Sequence, residues 1–409
     1  MRARYSATRW VFLFLLLVCT QGSLFGQKLH DLSMFEPTIT DGRAIALGHS
    51  SLLGTQNANN VFNNPSALAN LSSRSLMLST RFRTGESEID WIAEYDSFTE
   101  EGTNTYTYKL HPKLNGVAFA TPFKACSNKN MRLGLGFGYR PYYDWGHYLD
   151  VEYITDGEVD TSDMKKHGGF NLMSIAFGAA YKKLFNFGLS VNFPFASNAT
   201  EEWSSETEIR TTGTFFVFGA MYNLTPSLLL SARLRTGFVL GYSEKRENYA
   251  WEYGEYFDVD YSIPAELGLA LQYQSSGNLT LFLEVVSRFY DSYEQEIHVY
   301  SEAGNKPFDG ADAGYSLRVG AEYGKKIQYR LGGYMQSVPV FDYDEEGDIA
   351  DGSTQYGLTG GLGIPLSPKF LLDIYGDYAT HAVERNRYYE TQDITNTSFQ
   401  FGCSLGYNY

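Results

Sequence analysis

The chain has 409 residues, a formal net charge of −15 and 16% aromatic residues, with 32 Tyr, 28 Phe and 40 Gly. No basic patch is visible, which argues against a nucleic-acid partner. Beyond the first two dozen residues no apolar stretch approaches the ~20 residues a membrane-spanning helix needs, so a helical membrane protein is excluded.

The first 26 residues read as an export signal. Arg2, Arg4 and Arg9 precede an apolar run from Trp10 to Cys19, and small residues follow at Ser23 and Gly26. A run of about ten residues is too short to span a bilayer, so cleavage is expected. Val18 stands where a lipoprotein signal wants a small residue, so lipidation of Cys19 is not expected. Residues 27–72 are rich in Asn, Ser, Ala and Leu and lack alternation. Asn64-Pro65-Ser66-Ala67-Leu68 has a helix-start signature, since Asn caps free N–H groups and Pro suits the first helical position. This segment is expected to form a hatch, or plug, inside a barrel.

From residue 73 to 409 the period becomes two. In 131–140, Met131, Leu133, Leu135, Phe137 and Tyr139 share one face, while Arg132, Gly134, Gly136, Gly138 and Arg140 share the other. The stretch 227–242 repeats the pattern, with Arg233 and Arg235 on its polar face. Runs this long, with arginine and glycine on one side, fit strands that face lipid outward and a polar lumen inward. Fourteen strands are predicted, centred on 73–83, 114–122, 131–143, 169–182, 185–196, 211–223, 227–241, 260–274, 278–290, 312–324, 327–338, 353–364, 369–382 and 396–409. Short turns alternate with long acidic loops at 144–168, 242–259, 291–311 and 339–352, the pattern of short periplasmic turns and long external loops. The last strand alternates Phe399, Phe401, Cys403, Leu405, Tyr407 and Tyr409 against polar or small partners and ends on an aromatic residue. An open edge of that length would invite aggregation, so closure is expected. The fold class is all-β: a transmembrane antiparallel β-barrel of about fourteen strands, with the N-terminal hatch in its lumen. Cys126 and Cys403 could pair, but Cys403 falls on a lipid-facing position, so no disulfide is expected.

The predicted lumen carries Arg132, Arg140, Arg233, Arg235, Glu284, Arg288, Arg318 and Arg330, with Glu322, Asp373 and Asp377. Buried charges need partners, so these are expected to pair with one another and with Asp41 and Arg43 of the hatch. A functional alternative gives one arginine the carboxylate of an anionic ligand. No catalytic set is apparent: the seven histidines are scattered, and neither a nucleophile elbow nor a phosphate-binding loop is present. An enzyme, a cofactor and a metal centre are therefore not expected. Asp342 to Asp348 resembles the first half of a calcium loop, but Ser353 stands where the bidentate Glu belongs, so it reads as a solvated loop.

In order along the chain, the segment 42–48, the Asn64-Pro65-Ser66 motif, and the strand stretches 263–273, 278–285, 317–323 and 329–339 resemble the FadL-like family of outer-membrane transporters for hydrophobic compounds. Ser66 stands where the family motif has Ala. The resemblance implies a monomeric, plugged fourteen-stranded barrel in the bacterial outer membrane, surrounded by lipid and lipopolysaccharide. It also implies passive uptake of a hydrophobic small molecule, a long-chain fatty acid or similar, with lateral exit at a kinked third strand. Gly134, Gly136, Gly138 and Pro141 are the candidates for that gate strand, although the glycines could equally make room for the hatch. The short connection 197–210 departs from family members with a well-formed external capture groove. The loop 242–259, with Trp251, Tyr256 and Phe257, could supply an aromatic capture surface. Two other readings are a PorV-like barrel that scaffolds or shuttles secreted proteins, and a diffusion porin for polar solutes.

Overall fold

The protein was examined as a computed structural model that describes residues 39–53, 57–95, 98–123, 130–144, 148–155, 158–165, 169–182, 184–197, 199–200, 205–247, 254–275, 277–289, 295–299, 314–338, 353–387 and 390–409. The expected signal peptide, the first part of the hatch, Cys126 and the acidic loop 342–348 lie outside the described residues.

Strands β1 (Ser75–Tyr95), β2 (Phe98–Phe123) and β3 (Met131–Asp144) begin the barrel. A hairpin of β4 (Tyr148–Thr155) and β5 (Glu158–Lys165) follows, and then β6 (Gly169–Tyr181) and β7 (Phe185–Ser197). Next come β8 (Ala199–Thr200), β9 (Ser205–Thr212), β10 (Phe215–Thr225), β11 (Leu228–Arg235), β12 (Phe238–Glu247), β13 (Gly254–Ile263) and β14 (Glu266–Gln274). The chain continues through β15 (Leu279–Arg288), β16 (Gln295–Val299), β17 (Gly314–Tyr323), β18 (Gln328–Val338), β19 (Ser353–Ser367), β20 (Phe370–Arg387) and β21 (Glu390–Asn408). Fourteen of these form one closed antiparallel ring: β1, β2, β3, β6, β7, β10, β11, β14, β15, β17, β18, β19, β20 and β21. Closure is made by β1 against β21, from Ser75↔Asn408 to Ala93↔Glu390. The fourteen sequence-predicted strands are these fourteen, in order.

The faces are inverted relative to a soluble barrel. On β10, Phe215, Val217 and Met221 are buried inside, while Phe216, Phe218 and Tyr222 are exposed outside. Leu331 and Leu358 on the outer wall are each 69% exposed. In water such a belt would carry a large hydrophobic penalty, whereas in lipid it costs nothing. An outer groove of about 390 Å³, lined by Leu317, Val319, Met335, Tyr356 and Leu358 among others, belongs to this lipid-facing belt and not to the lumen.

Four stretches read as loops carry strands instead. The segments 144–168 and 291–311 hold β4–β5 and β16, and 242–259 contains most of the β12–β13 hairpin. The connection 197–210 contains β8 and much of β9. Strands β8, β9, β12, β13 and β16 make a second, five-stranded sheet beyond the long-loop end, and β4 extends the ring sheet by pairing with the upper part of β2. These strands escaped notice because they stand above the apolar belt and need no lipid-facing alternation to reveal them.

Residues 39–71 run through the lumen. Helix α1 (Gly42–Ala46) is capped by Asp41, whose carboxylate accepts from Arg43 N at 3.0 Å. Two 3-10 turns follow, η1 (Ala58–Val61) capped by Asn57 and η2 (Pro65–Asn70) capped by Asn64, with Pro65 at the first position. The wall meets them with glycine. A Cβ at Gly134, Gly188 or Gly332 would collide with the backbone of Leu68, Ser66 and Gly48 respectively, and one at Gly136 or Gly138 would strike Val61 or Phe62. The third-strand glycines therefore give the hatch room. They sit in unbroken ladders with both β2 and β6, and of the four gate-strand candidates only Pro141 lies at an irregularity.

Gly188→Val should accordingly lower stability by about 1–3 kcal/mol through overpacking, read as earlier loss of heat-modified mobility in gel electrophoresis. Gly360→Val, on the outer wall with only one backbone oxygen within 4 Å, should behave as wild type. Equal behaviour of the two would refute the close-packed hatch.

Candidate functional site

The hatch is held to the wall by polar contacts as well as by fit. Asn64 is fully buried, and its amide donates to Leu52 O at 2.6 Å and to Ser231 Oγ at 2.7 Å. Its carbonyl oxygen accepts from Ser66 Oγ at 2.6 Å and from Ser66 N. One side chain thus caps η2, ties down the preceding loop and reaches β11. The Ser66 hydroxyl, buried beside the cap, has its partner in Asn64.

The lumenal charges pair in rows across adjacent strands. Glu284 lies opposite Arg318, and Glu322 opposite Arg330. Arg318 donates to Glu284 at 2.9 Å and to His49 O at 3.1 Å, while the other Glu284 oxygen accepts from Leu52 N and Ser50 Oγ. Arg43 of the hatch and Arg330 of the wall both meet Glu322 at 2.8 Å, and Arg330 also reaches Asp373 at 2.5 Å. His49 and Asp377 approach to 2.9 Å. Among the described hatch residues, Arg43 and His49 therefore have wall partners, which a site excluded from water favours. Arg132 shares the inward register but is exposed, because it stands one residue into β3 at the short-turn mouth.

Above the hatch lies a third row, Arg235↔Glu266↔Arg288. Arg233 also bonds Glu266, and Arg235 and Arg288 lie 3.9 and 3.5 Å from its other oxygen. Arg235 donates to Tyr142 Oη at 2.7 Å. Arg140 stands 5.0 Å over Phe62 and 5.3 Å over Tyr142. Tyr142, Phe215 and Phe238, all buried, cluster with centroids 4.4 to 5.8 Å apart. Glu266 and Tyr142 were not singled out in the sequence. The signal for Glu266 was its place on the inward face between two arginine-bearing strands. Tyr142 follows a proline and is itself the residue left out of the β3–β6 register at a bulge, which hid its direction.

The wall itself is incomplete beside this cluster. The β2–β3 ladder ends at Val117↔Tyr139, and β2 gains a new partner, β4, only from Tyr108. The cause can be read from backbone parity, since alternate residues of an antiparallel strand present N–H and C=O to opposite neighbours. Lys182 N donates to Asn130 O, so even-numbered residues of β3 face β6 and odd-numbered ones face β2. Pro141 therefore turns its nitrogen, which carries no hydrogen, toward β2. Arg74 and Tyr409 exchange backbone bonds, so odd-numbered residues of β1 face β2, and Arg81↔Lys113 and Arg83↔His111 are the bonded pairs. Pro112 then points away from β1, also into the β2–β3 slit. Asn115, the bulged residue on β2, turns inward and donates to Ile39 O at 2.8 Å.

No group of three or more potential metal ligands occurs among the described residues. No family model matches the sequence, and no curated protein matches it. Solved structures do. A Pseudomonas aeruginosa FadL homologue aligns with a TM-score of 0.60 and 14% identity, over 94% of this chain and 100% of that one. The Pseudomonas putida toluene transporter TodX aligns with a TM-score of 0.57 and 13% identity, over 90% and 99% of the two chains.

Removing Glu284 tests the network. Glu284→Leu leaves Arg318 buried without its carboxylate and should cost about 3–5 kcal/mol, read by thermal or denaturant unfolding in detergent. The double variant Glu284→Leu/Arg318→Met should recover part of that loss, and a single variant with unchanged stability would contradict the assignment. The closed barrel of fourteen strands, with a segment threading its lumen, has the fold of the FadL homologue and of TodX.

Proposed function

We propose that this protein is a passive outer-membrane channel for hydrophobic small molecules, long-chain fatty acids or similar compounds, which enter from the long-loop side and leave sideways between β2 and β3. The observation that carries this reading is the coincidence of a filled axis with an interrupted wall. Residues 39–71 occupy the lumen against the inner face, and the β2–β3 ladder lapses beside the aromatic cluster above them. A hydrophobe gains little from a wet axial pore. Delivered into the bilayer, it gains roughly 0.8 kcal/mol for each CH₂ transferred out of water. Such a route needs no cofactor, no energy source and no catalytic residue.

The cluster of Tyr142, Phe215 and Phe238 gives an apolar body a place to rest, and its arginines give a carboxylate head a partner in dry surroundings. The structural relatives, a FadL homologue and the toluene transporter TodX, agree with a hydrophobic cargo. On this reading the long-loop end faces outward through lipopolysaccharide, the short turns face the periplasm, and a single chain suffices.

Cells in which this chain is the principal route should take up labelled long-chain fatty acid or a monoaromatic hydrocarbon faster than cells lacking it, without accumulation against a gradient. A disulfide across the slit, Leu114→Cys/Pro141→Cys in a Cys126→Ser/Cys403→Ser background, should slow uptake, and reductant should restore it. Uptake of both cargo classes at the rate of cells lacking the chain would refute the proposal.

A further inference from the structure

The β2–β3 slit has a counterpart three strands along the wall. The β7–β10 ladder ends at Asn192↔Phe215, and pairing on this flank resumes only at Ala199↔Thr207, between β8 and β9. On its other side β7 stays paired with β6 without a register shift up to Ser197. The interruption is therefore one-sided. Parity explains it. Asn223 N donates to Leu184 O, and neither ladder of β7 shifts register below residue 192, so even-numbered residues of β7 face β10. The next bonded rung would join residue 194 to residue 213. Residue 194 is proline, which brings no N–H to that rung, and it lies on the side that leaves the β6 pairing intact. Opposite it, Gly213 has φ +119°, outside the range of an extended ladder.

Pro141 and Pro194 are thus equivalent devices on the two flanks of one three-stranded unit, β3–β6–β7. Pro141 is the eleventh residue of β3 and Pro194 the tenth of β7. With a rise of about 3.3 Å per residue and a tilt near 40°, about ten residues climb roughly 25 Å, to the top of the apolar band. Each proline separates the unit from its neighbour at the same height. Below the second slit the last rung joins Asn192 to Phe215, and the Asn192 amide also donates to Phe215 O at 3.4 Å. At the slit the inner face presents Leu172 and Phe215, both buried, and the outer face presents Phe193.

We propose that β3–β6–β7 is a panel whose two flanks both lose their ladders between the lower barrel wall and the β2–β4 and β8–β9 pairings above, and that the slit between β7 and β9–β10 is a second lateral port for the same hydrophobic cargo. This rests on the lateral-exit reading above. The inner cluster serves both ports: Tyr142 on the panel packs at a tilt against Phe215 across the inside of the second slit and is held by Arg235.

The test is to lock each slit separately and then both, in the Cys126→Ser/Cys403→Ser background. Leu114→Cys/Pro141→Cys closes the first, and Phe193→Cys/Thr214→Cys closes the second. With two comparable parallel routes, either lock alone should leave roughly half of the uptake, the double lock should abolish it, and reductant should restore it in each case. Abolition by the first lock alone, or no effect of the second, overturns the second port while leaving lateral exit standing. Uptake that survives the double lock overturns both. Pro194→Val gives an independent reading, because it supplies the missing donor. It should slow amide hydrogen exchange at residue 213, give a protected amide at residue 194, and lower the uptake that remains when the first slit is locked. Unchanged exchange at residue 213 would refute the role given to Pro194.

Discussion

The contact on which everything else depends is that between the backbone of residues 39–71 and a barrel wall from which side chains have been removed. At Gly134, Gly188 and Gly332 the wall has no atoms to spare, and the segment's peptide groups lie directly on it. Glycine in a strand interior weakens the strand. It is retained here because the alternative, a fully furnished lumen, would leave no volume for the hatch. The buried residues Ala58, Val61, Phe62, Leu68 and Leu71 then pack with Met77, Ala118, Ala120 and Ala176 as one core across hatch and wall.

Polar fastening follows from that proximity. A hatch pressed against the wall excludes water, and every charge inside must be matched. Arg43 shares Glu322 with Arg330, the Leu52 amide shares Glu284 with Arg318, and Asn64 joins the Leu52 carbonyl and the Ser231 hydroxyl in one set of bonds. These bonds are distributed around the ring, so the hatch is not hinged at one edge. The wall above it is where two prolines have taken donors out of the ladder and an aromatic cluster lies behind the gap.

Most of the ring was legible in the sequence. Lipid on one side and a crowded lumen on the other force a strict alternation, and the fourteen strands appear as fourteen alternating runs. Asn64-Pro65 was legible as a cap because capping chemistry is local. The roles of Gly134, Gly136 and Gly138 were not, since a glycine that makes room and a glycine that permits a kink look alike until the atoms facing them are known. Glu266 was missed for a related reason: one carboxylate among three arginines is visible only once the register sets Arg235, Glu266 and Arg288 in a row. The upper sheets were missed because strands beyond the belt need no apolar face. The effects of Pro141 and Pro194 required bond parity, which fixes the neighbour that each proline fails to serve.

The central claim is that the axis is closed by the hatch and that traffic passes through the wall. Single-channel recording in a planar bilayer addresses it most directly. The account predicts no steady ohmic current above the bare bilayer for the wild-type chain. Long-lived open channels with the conductance of a water-filled pore would contradict it.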